Sequence, residues 1–211
     1  MSFADSRALV IAASLVGGYL LGSIPFGVIA TRLGGAGDIR KVGSGNIGAT
    51  NVLRTGRRDL ALITLLGDGG KGAAAVLIAS ALFPLFPWAG VVAGGAAFLG
   101  HLFSVWLGFR GGKGVATFFG ILFGVAWPVG LAAGATWIAM ALVFRISSLA
   151  ALTAAALTPL WFLLLHHATP ARLWLAAGMA VLIFLRHEAN IRRLLKGEEP
   201  RIGAAKNRAA A

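Results

Sequence analysis

Three segments of this chain concentrate residue types that bind anions. In the first, Gly43, Gly45 and Gly48 alternate with Ser44, Asn46, Thr50 and Asn51, and the run ends on Arg54. Glycines let successive backbone N–H groups turn toward one point and form an anion nest. Ser44, Asn46, Thr50 and Asn51 add neutral donors, and Arg54 adds a guanidinium fork that matches a phosphate. The segment reads as a phosphate cradle. The second segment holds His101 and then Arg110-Gly-Gly-Lys113-Gly, leading into an apolar stretch. A helix starting there would aim its dipole and free N–H groups at an anion. In the third, His187 and Asn190 stand three apart, which places them on one face of a helix. Arg192, Arg193 and Lys196 around them suit an anionic lipid surface. Ser148, in the short Arg145-Ile-Ser-Ser148 turn, is a further hydroxyl donor.

Two nucleotide motifs are approached and missed. Gly43, Gly45 and Gly48 match G-x-G-x-x-G by spacing, but a dinucleotide site needs a strand before it, and an apolar helical stretch stands there. Around Lys113 the P-loop spacing fails, because position 107 is Leu and Gly114 replaces the Ser or Thr that would hold magnesium. There is no cysteine, hence no disulfide, thiolate metal site or cysteine nucleophile. The seven acidic residues are scattered, so they form no aspartate-rich metal motif. Asp68 and Lys71, three apart within an apolar stretch, read as an ion pair, since charges inside a membrane are costly and usually paired.

The elements that must position these groups are membrane spans. Of 211 residues, 58% are hydrophobic and 12% charged, with a mean hydropathy of +0.83. Soluble domains average about 25% charged; a soluble globule of this composition could not cover its surface. The net charge of +12 then points to anionic lipid or an anionic substrate rather than nucleic acid. A span needs about 20 apolar residues. Seven stretches qualify, at 8–31, 60–83, 88–107, 115–128, 129–144, 148–166 and 171–185, the fourth and fifth divided only at Trp127-Pro128.

Charge orients them. With the N-terminus outside and seven spans, sixteen Lys and Arg fall on the cytoplasmic side and two outside. That asymmetry is the positive-inside rule. The expected fold is therefore an all-α polytopic bundle of seven transmembrane helices, N-terminus outside and C-terminus cytoplasmic. It is one domain over 1–199, with a disordered tail at 200–211. All three anion-binding segments lie on the cytoplasmic face. The spans carry almost no polar residues beyond Asp68 and Lys71, which disfavours a transporter, although a scaffold or carrier for anionic lipid remains the alternative reading.

Four segments in order resemble the bacterial acyl-phosphate:glycerol-3-phosphate acyltransferases, the PlsY family: Gly43–Arg54, Asp68-Gly-Gly-Lys-Gly72, Gly100–Thr117 and Arg186–Leu194. The resemblance runs from about residue 17 to 199. It implies a multi-pass enzyme of the bacterial inner membrane with its site on the cytoplasmic side. Such an enzyme transfers a fatty acyl group from acyl-phosphate to the 1-hydroxyl of sn-glycerol 3-phosphate. The products are lysophosphatidic acid and phosphate. No covalent acyl-enzyme, metal, cofactor or obligatory protein partner is implied; the partners are the two substrates and membrane lipid. On this reading Ser44, Asn46, Asn51, Arg54, Lys113 and Ser148 bind phosphate. His187, Asn190 and His101 are the catalytic candidates, with His187 and Asn190 on the glycerol hydroxyls and His101 beside the phosphates or bracing the cradle. The proton acceptor is either His187 or the acceptor's own phosphate. A CDP-alcohol phosphotransferase would need an aspartate-rich metal motif that is absent.

Overall fold

The computed structural model describes residues 3–203 and is helical throughout. Helix α1 spans Phe3–Ser23, α2 Phe26–Leu33, α3 Ala49–Val52, α4 Arg58–Leu82, α5 Ala89–Leu102, α6 Val115–Phe144, α7 Ser147–Leu164, α8 Pro170–Arg186 and α9 Glu188–Leu195. The exterior is apolar: Leu62, Ile63, Leu66, Leu142, Val143, Leu164, Trp174 and Leu185 are all more than half exposed. A surface of that kind belongs in hydrocarbon, not water. Among the described residues five helical stretches are long and apolar enough to cross a membrane: 4–33, 58–82, 89–107, 115–144 and 147–164.

The boundaries depart from the expected spans where proline or glycine intervenes. The stretch expected at 8–31 is two helices, because Pro25 has no N–H to continue the ladder. The stretch expected at 88–107 ends its α-helix at Leu102 and closes with a 3₁₀ turn at Val105–Leu107. The break expected at Trp127-Pro128 falls at Ala126, whose φ of −160° and ψ of 89° are not helical. Pro128 is the cause, since its ring clashes with the carbonyl four residues before it. The bend is sharp. A Cβ built on Gly130 would lie 3.0 Å from the Phe123 backbone nitrogen, although seven residues of straight helix rise about 10 Å. The two halves of α6 therefore fold back on each other.

Without a hydrophobic drive between helices in lipid, association relies on close backbone packing at small residues. α1 meets α5 in this way: a Cβ on Gly22 would fall 2.0 Å from the Ala97 carbonyl oxygen. α4 meets α6 at Gly120, where a Cβ would fall 1.8 Å from the Gly69 oxygen. The main core, including Phe98, Phe118, Ile121, Leu122, Phe162 and Ile183, joins α5 to α8. These contacts hold the interhelical connections 34–57, 103–114 and 145–146 in fixed relation to the end of α8.

Candidate functional site

The cradle is built around Asn51, which is 2% exposed. Its Oδ1 accepts from the Ser44 backbone N–H at 3.1 Å and the Ser44 hydroxyl at 3.3 Å. Its Nδ2 donates to the carbonyls of Ile39, Val42 and Asn46 at 3.2, 2.9 and 2.8 Å. An amide has two hydrogens, so Asn51 is spent inside the loop. It shapes the cradle from inside the loop. Gly43, at φ +55°, leaves the space that the stem of Arg54 fills, 2.7 Å from where a Cβ would sit. Ser44 and Arg54 remain exposed and Asn46 is half-buried. The cradle touches the start of α7 through the Thr50 and Ser147 hydroxyls, 3.4 Å apart.

The second and third segments meet directly. Lys113 Nζ donates to Asn190 Oδ1. Asn190 Nδ2 donates to Glu199 Oε1 at 2.5 Å, and the Ser148 hydroxyl donates to the same oxygen at 2.8 Å. Arg193 Nε donates to Glu199 Oε2 at 2.6 Å. Glu199 is therefore a hub that reading the sequence missed, and Arg193, expected to face lipid, belongs to it. Burial alone would raise the Glu199 carboxyl, but the hydrogen bonds from Asn190, Ser148 and Arg193 outweigh it and hold the group below its ordinary value. Glu199 reaches this place because the chain after α9 is pinned to the α6–α7 turn: Ile202 N–H donates to the Arg145 carbonyl at 2.6 Å, and Arg145 Nη2 to the Ile202 carbonyl at 3.2 Å. Residues 200–203 of the expected disordered tail thus run along the bundle, and 204–211 lie outside the described residues.

Lys113 is half-buried, and burial pushes its ammonium down to about 8. Glu199 pulls the other way, while Arg193, Arg186 and Arg54 add to the depression. His187 sits at the junction of α8 and α9, 3% exposed. Its Nδ1 lies 2.8 Å from the Ile183 carbonyl. A carbonyl only accepts, so Nδ1 carries the proton and Nε2 keeps a lone pair. Burial pushes the imidazole down to about 4, against the upward pull of that carbonyl.

His101 stands apart from this group. It is 3% exposed, with Nδ1 3.6 Å from Asp68 Oδ1. It meets the basic part of its own segment at the Gly111-Gly112 turn, whose carbonyls are held by Arg186 at 2.9 and 3.1 Å. Among the described residues no three His, Asp or Glu side chains gather as a metal site.

A helical bundle with an apolar exterior and a basic, glycine-built site in its interhelical connections is an integral membrane protein equipped to bind anions. Residues 12–197 match the family model described as glycerol-3-phosphate acyltransferase. The glycerol-3-phosphate acyltransferase of Caulobacter vibrioides is 67% identical over 198 residues, covering 94% of this chain and 90% of that protein. The enzyme of the same name from Rhodospirillum rubrum is 59% identical, covering 96% and 95%. The crystal structure of PlsY, an integral membrane glycerol 3-phosphate acyltransferase, in its glycerol 3-phosphate form superposes with a TM-score of 0.86 at 39% identity, covering 93% of this chain and 97% of that one. Its lysophosphatidic acid form gives 0.83 at 38% identity, covering 92% and 95%. The chain belongs to the PlsY family of integral membrane glycerol-3-phosphate acyltransferases, and its activity serves phospholipid biosynthesis.

Proposed function

We propose that the acyl donor is acyl-phosphate and that the fatty acyl group passes directly to the 1-hydroxyl of glycerol 3-phosphate. The observation that carries this reading is the Lys113–Asn190 contact, which joins the basic glycine turn to the end of α8 beside His187. Arg54 and Lys113 clamp phosphate, joined by the Ser44 and Ser148 hydroxyls when these rotate away from Asn51 and Glu199, Asn46 supports the cradle, and His187 and Asn190 address the glycerol. Glu199 fixes the amide of Asn190 and so keeps its oxygen toward Lys113. The acceptor oxygen attacks the acyl carbonyl carbon, the carbonyl π pair moves to oxygen, and the tetrahedral oxyanion collapses with loss of inorganic phosphate. An acyl-phosphate already has a good leaving group, so the enzyme's task is to hold two anions together and stabilise the developing charge. The hydroxyl proton passes to the phosphate of the acceptor, whose second pKa is about 6, while His187 Nε2 orients the hydroxyl.

The family resemblance supports a place in the inner membrane, and the charge asymmetry supports a site on its cytoplasmic side. Seven spans, with the N-terminus outside, are supported by the fold at Ala126, which divides α6, and by the 17 residues of α8, which reach the lower limit of about 17 for a span. No protein partner is needed for the reaction.

The test is phosphate release by the purified protein from acyl-phosphate, with and without glycerol 3-phosphate. Release should require the acceptor and match lysophosphatidic acid formed, mole for mole. Acceptor-independent release in a single-turnover burst would indicate an acyl-enzyme and overturn the direct transfer. Turnover with acyl-CoA but not acyl-phosphate would overturn the donor.

A further inference from the structure

Asp68, Lys71 and His101 form a buried polar group that the reaction as proposed does not use. The side chains of Asp68 and Lys71 are each 1% exposed, and Lys71 Nζ lies 2.7 Å from Asp68 Oδ1. The same ammonium donates to the Ile24 carbonyl at 2.7 Å, at the break that Pro25 makes between α1 and α2, and stands 5.9 Å from the centre of the Phe26 ring. The same carboxylate oxygen lies 3.6 Å from His101 Nδ1, which has no hydrogen-bond partner among the described residues.

The far edge of that imidazole is a floor. A Cβ built on Gly112 would fall 2.4 Å from His101 Nε2, so the Gly112 backbone rests on the ring. The backbone locks the same contact: Gly112 N–H donates to the His101 carbonyl at 3.1 Å and Gly111 N–H to the Leu102 carbonyl at 3.0 Å. From the opposite side Arg186 holds the two carbonyls of the turn. Lys113 is the next residue. Its ammonium is thus placed by a short turn gripped between His101 and Arg186.

We infer that Asp68 and Lys71 are positioning residues: their ion pair fixes His101 as the seat of the 111–112 turn and so places Lys113 against Asn190. The carboxylate orients the ring, and Lys71 in turn ties that carboxylate to the α1–α2 break. Three helices therefore converge on the placement of one ammonium. The inference rests on the reading of Lys113 as a phosphate-binding group.

The experiment compares Asp68→Asn/Lys71→Met with the parent protein, alone and in a Lys113→Ala background. Removing both charges together leaves neither partner as a buried uncompensated ion. The KM for glycerol 3-phosphate should rise at least about tenfold, by more than kcat falls, because a misplaced donor loses its charged hydrogen bond. Amide exchange at Gly111 and Gly112 should quicken. In the Lys113→Ala background the same pair should cost no more than about twofold, since residues acting through a common group are non-additive. An unchanged KM, or equal losses in both backgrounds, overturns the inference. If the pair does not fold, Asp68→Glu, which keeps the charge and shifts it by one methylene, is held to the same non-additivity. A Lys113→Ala protein with an unaltered KM sinks the underlying reading of Lys113 and the inference with it. A Lys113→Ala defect with additive losses sinks the inference alone.

Discussion

At the residue scale, the chemistry divides between groups that offer donors and groups that hold them. Arg54 lies beside Gly43 with its guanidinium free of any described carboxylate, so Arg54→Ala deletes a donor without leaving a buried partner exposed. A charged hydrogen bond is worth about 1.5–3 kcal/mol, which predicts at least roughly tenfold loss of kcat/KM. Near-parental kcat/KM in the folded variant would remove Arg54 from the site. Lys113 predicts the alkaline side of the pH profile. Its ammonium is held down to about 8 in the free enzyme, and kcat/KM reports free-enzyme groups. The cation is complete below that value and is lost above it, so kcat/KM should fall as pH rises through about 8. Lys113→Arg should move that limb upward. His187 predicts the acidic side. With its imidazole at about 4, it is neutral throughout pH 5.5 to 8.5 and cannot produce a limb near 6. A limb near 6 belongs to the acceptor's phosphate. His187→Gln should therefore keep that limb and retain kcat within about tenfold, whereas loss of a general base typically costs about 10²–10⁴-fold. Disappearance of the limb together with a drop beyond a thousandfold would make His187 the base. The donors were legible in the sequence because Ser, Asn, Arg and glycine cluster locally. Glu199 was not, because it lies past the last apolar stretch and its partner Ser148 is 51 residues away; the pinning of Ile202 to Arg145 helps hold the two together.

At the element scale, apolar length announces the helices, while proline and glycine set where they bend and touch. Uncharged runs locate the helices well, but thirty uncharged residues from 115 to 144 do not reveal which residue leaves the helical conformation. Pro128 marks the disturbance to within two residues; the break lands at Ala126 because the ring of Pro128 acts on the turn before it. Likewise nothing local distinguishes Gly120, which touches α4 backbone, from Gly134, beside which there is open space. This difference is testable. Gly134→Ala should leave the thermal midpoint near the parent's or raise it, since alanine favours a helix interior over glycine by about 1 kcal/mol. Gly120→Ala must push α6 away from the Gly69 carbonyl. Overpacking of this kind costs about 1–3 kcal/mol, so its midpoint in detergent should fall clearly. Equal midpoints for the two variants would mean that α4 and α6 are not in backbone contact at Gly69.

At the scale of the whole molecule, the bundle keeps its apolar surface for lipid and confines its polar chemistry to one set of connections. The cradle between α2 and α4, the glycine turn before α6, the α6–α7 turn and the segment after α8 all contribute to the same cluster. Their basic residues are those that the positive-inside rule counts, so one asymmetry serves both orientation and anion binding. The side of the membrane on which the cluster lies then decides which substrate pool it meets. With the spans as read from the sequence, sixteen Lys and Arg fall on one side against two on the other, which supports an odd number of crossings between Phe3 and the α9 segment. Five crossings would satisfy parity, but merging the halves of α6 would separate Lys113 from Ser148 by the thickness of the membrane, since they would lie at opposite ends of one span. Their meeting at Asn190 and Glu199 requires that the chain return between them. A reporter fused after Ala211 should therefore read cytoplasmic, and one inserted before Ser6 should read external. A third, placed in the turn at Trp127-Pro128, should also read external, because the bend at Ala126 is where α6 reverses. Opposite readings at the two termini, with a cytoplasmic signal at Trp127, would place that bend on the inner face and break the topology; the same reading at both termini would make the number of crossings even and overturn the orientation outright.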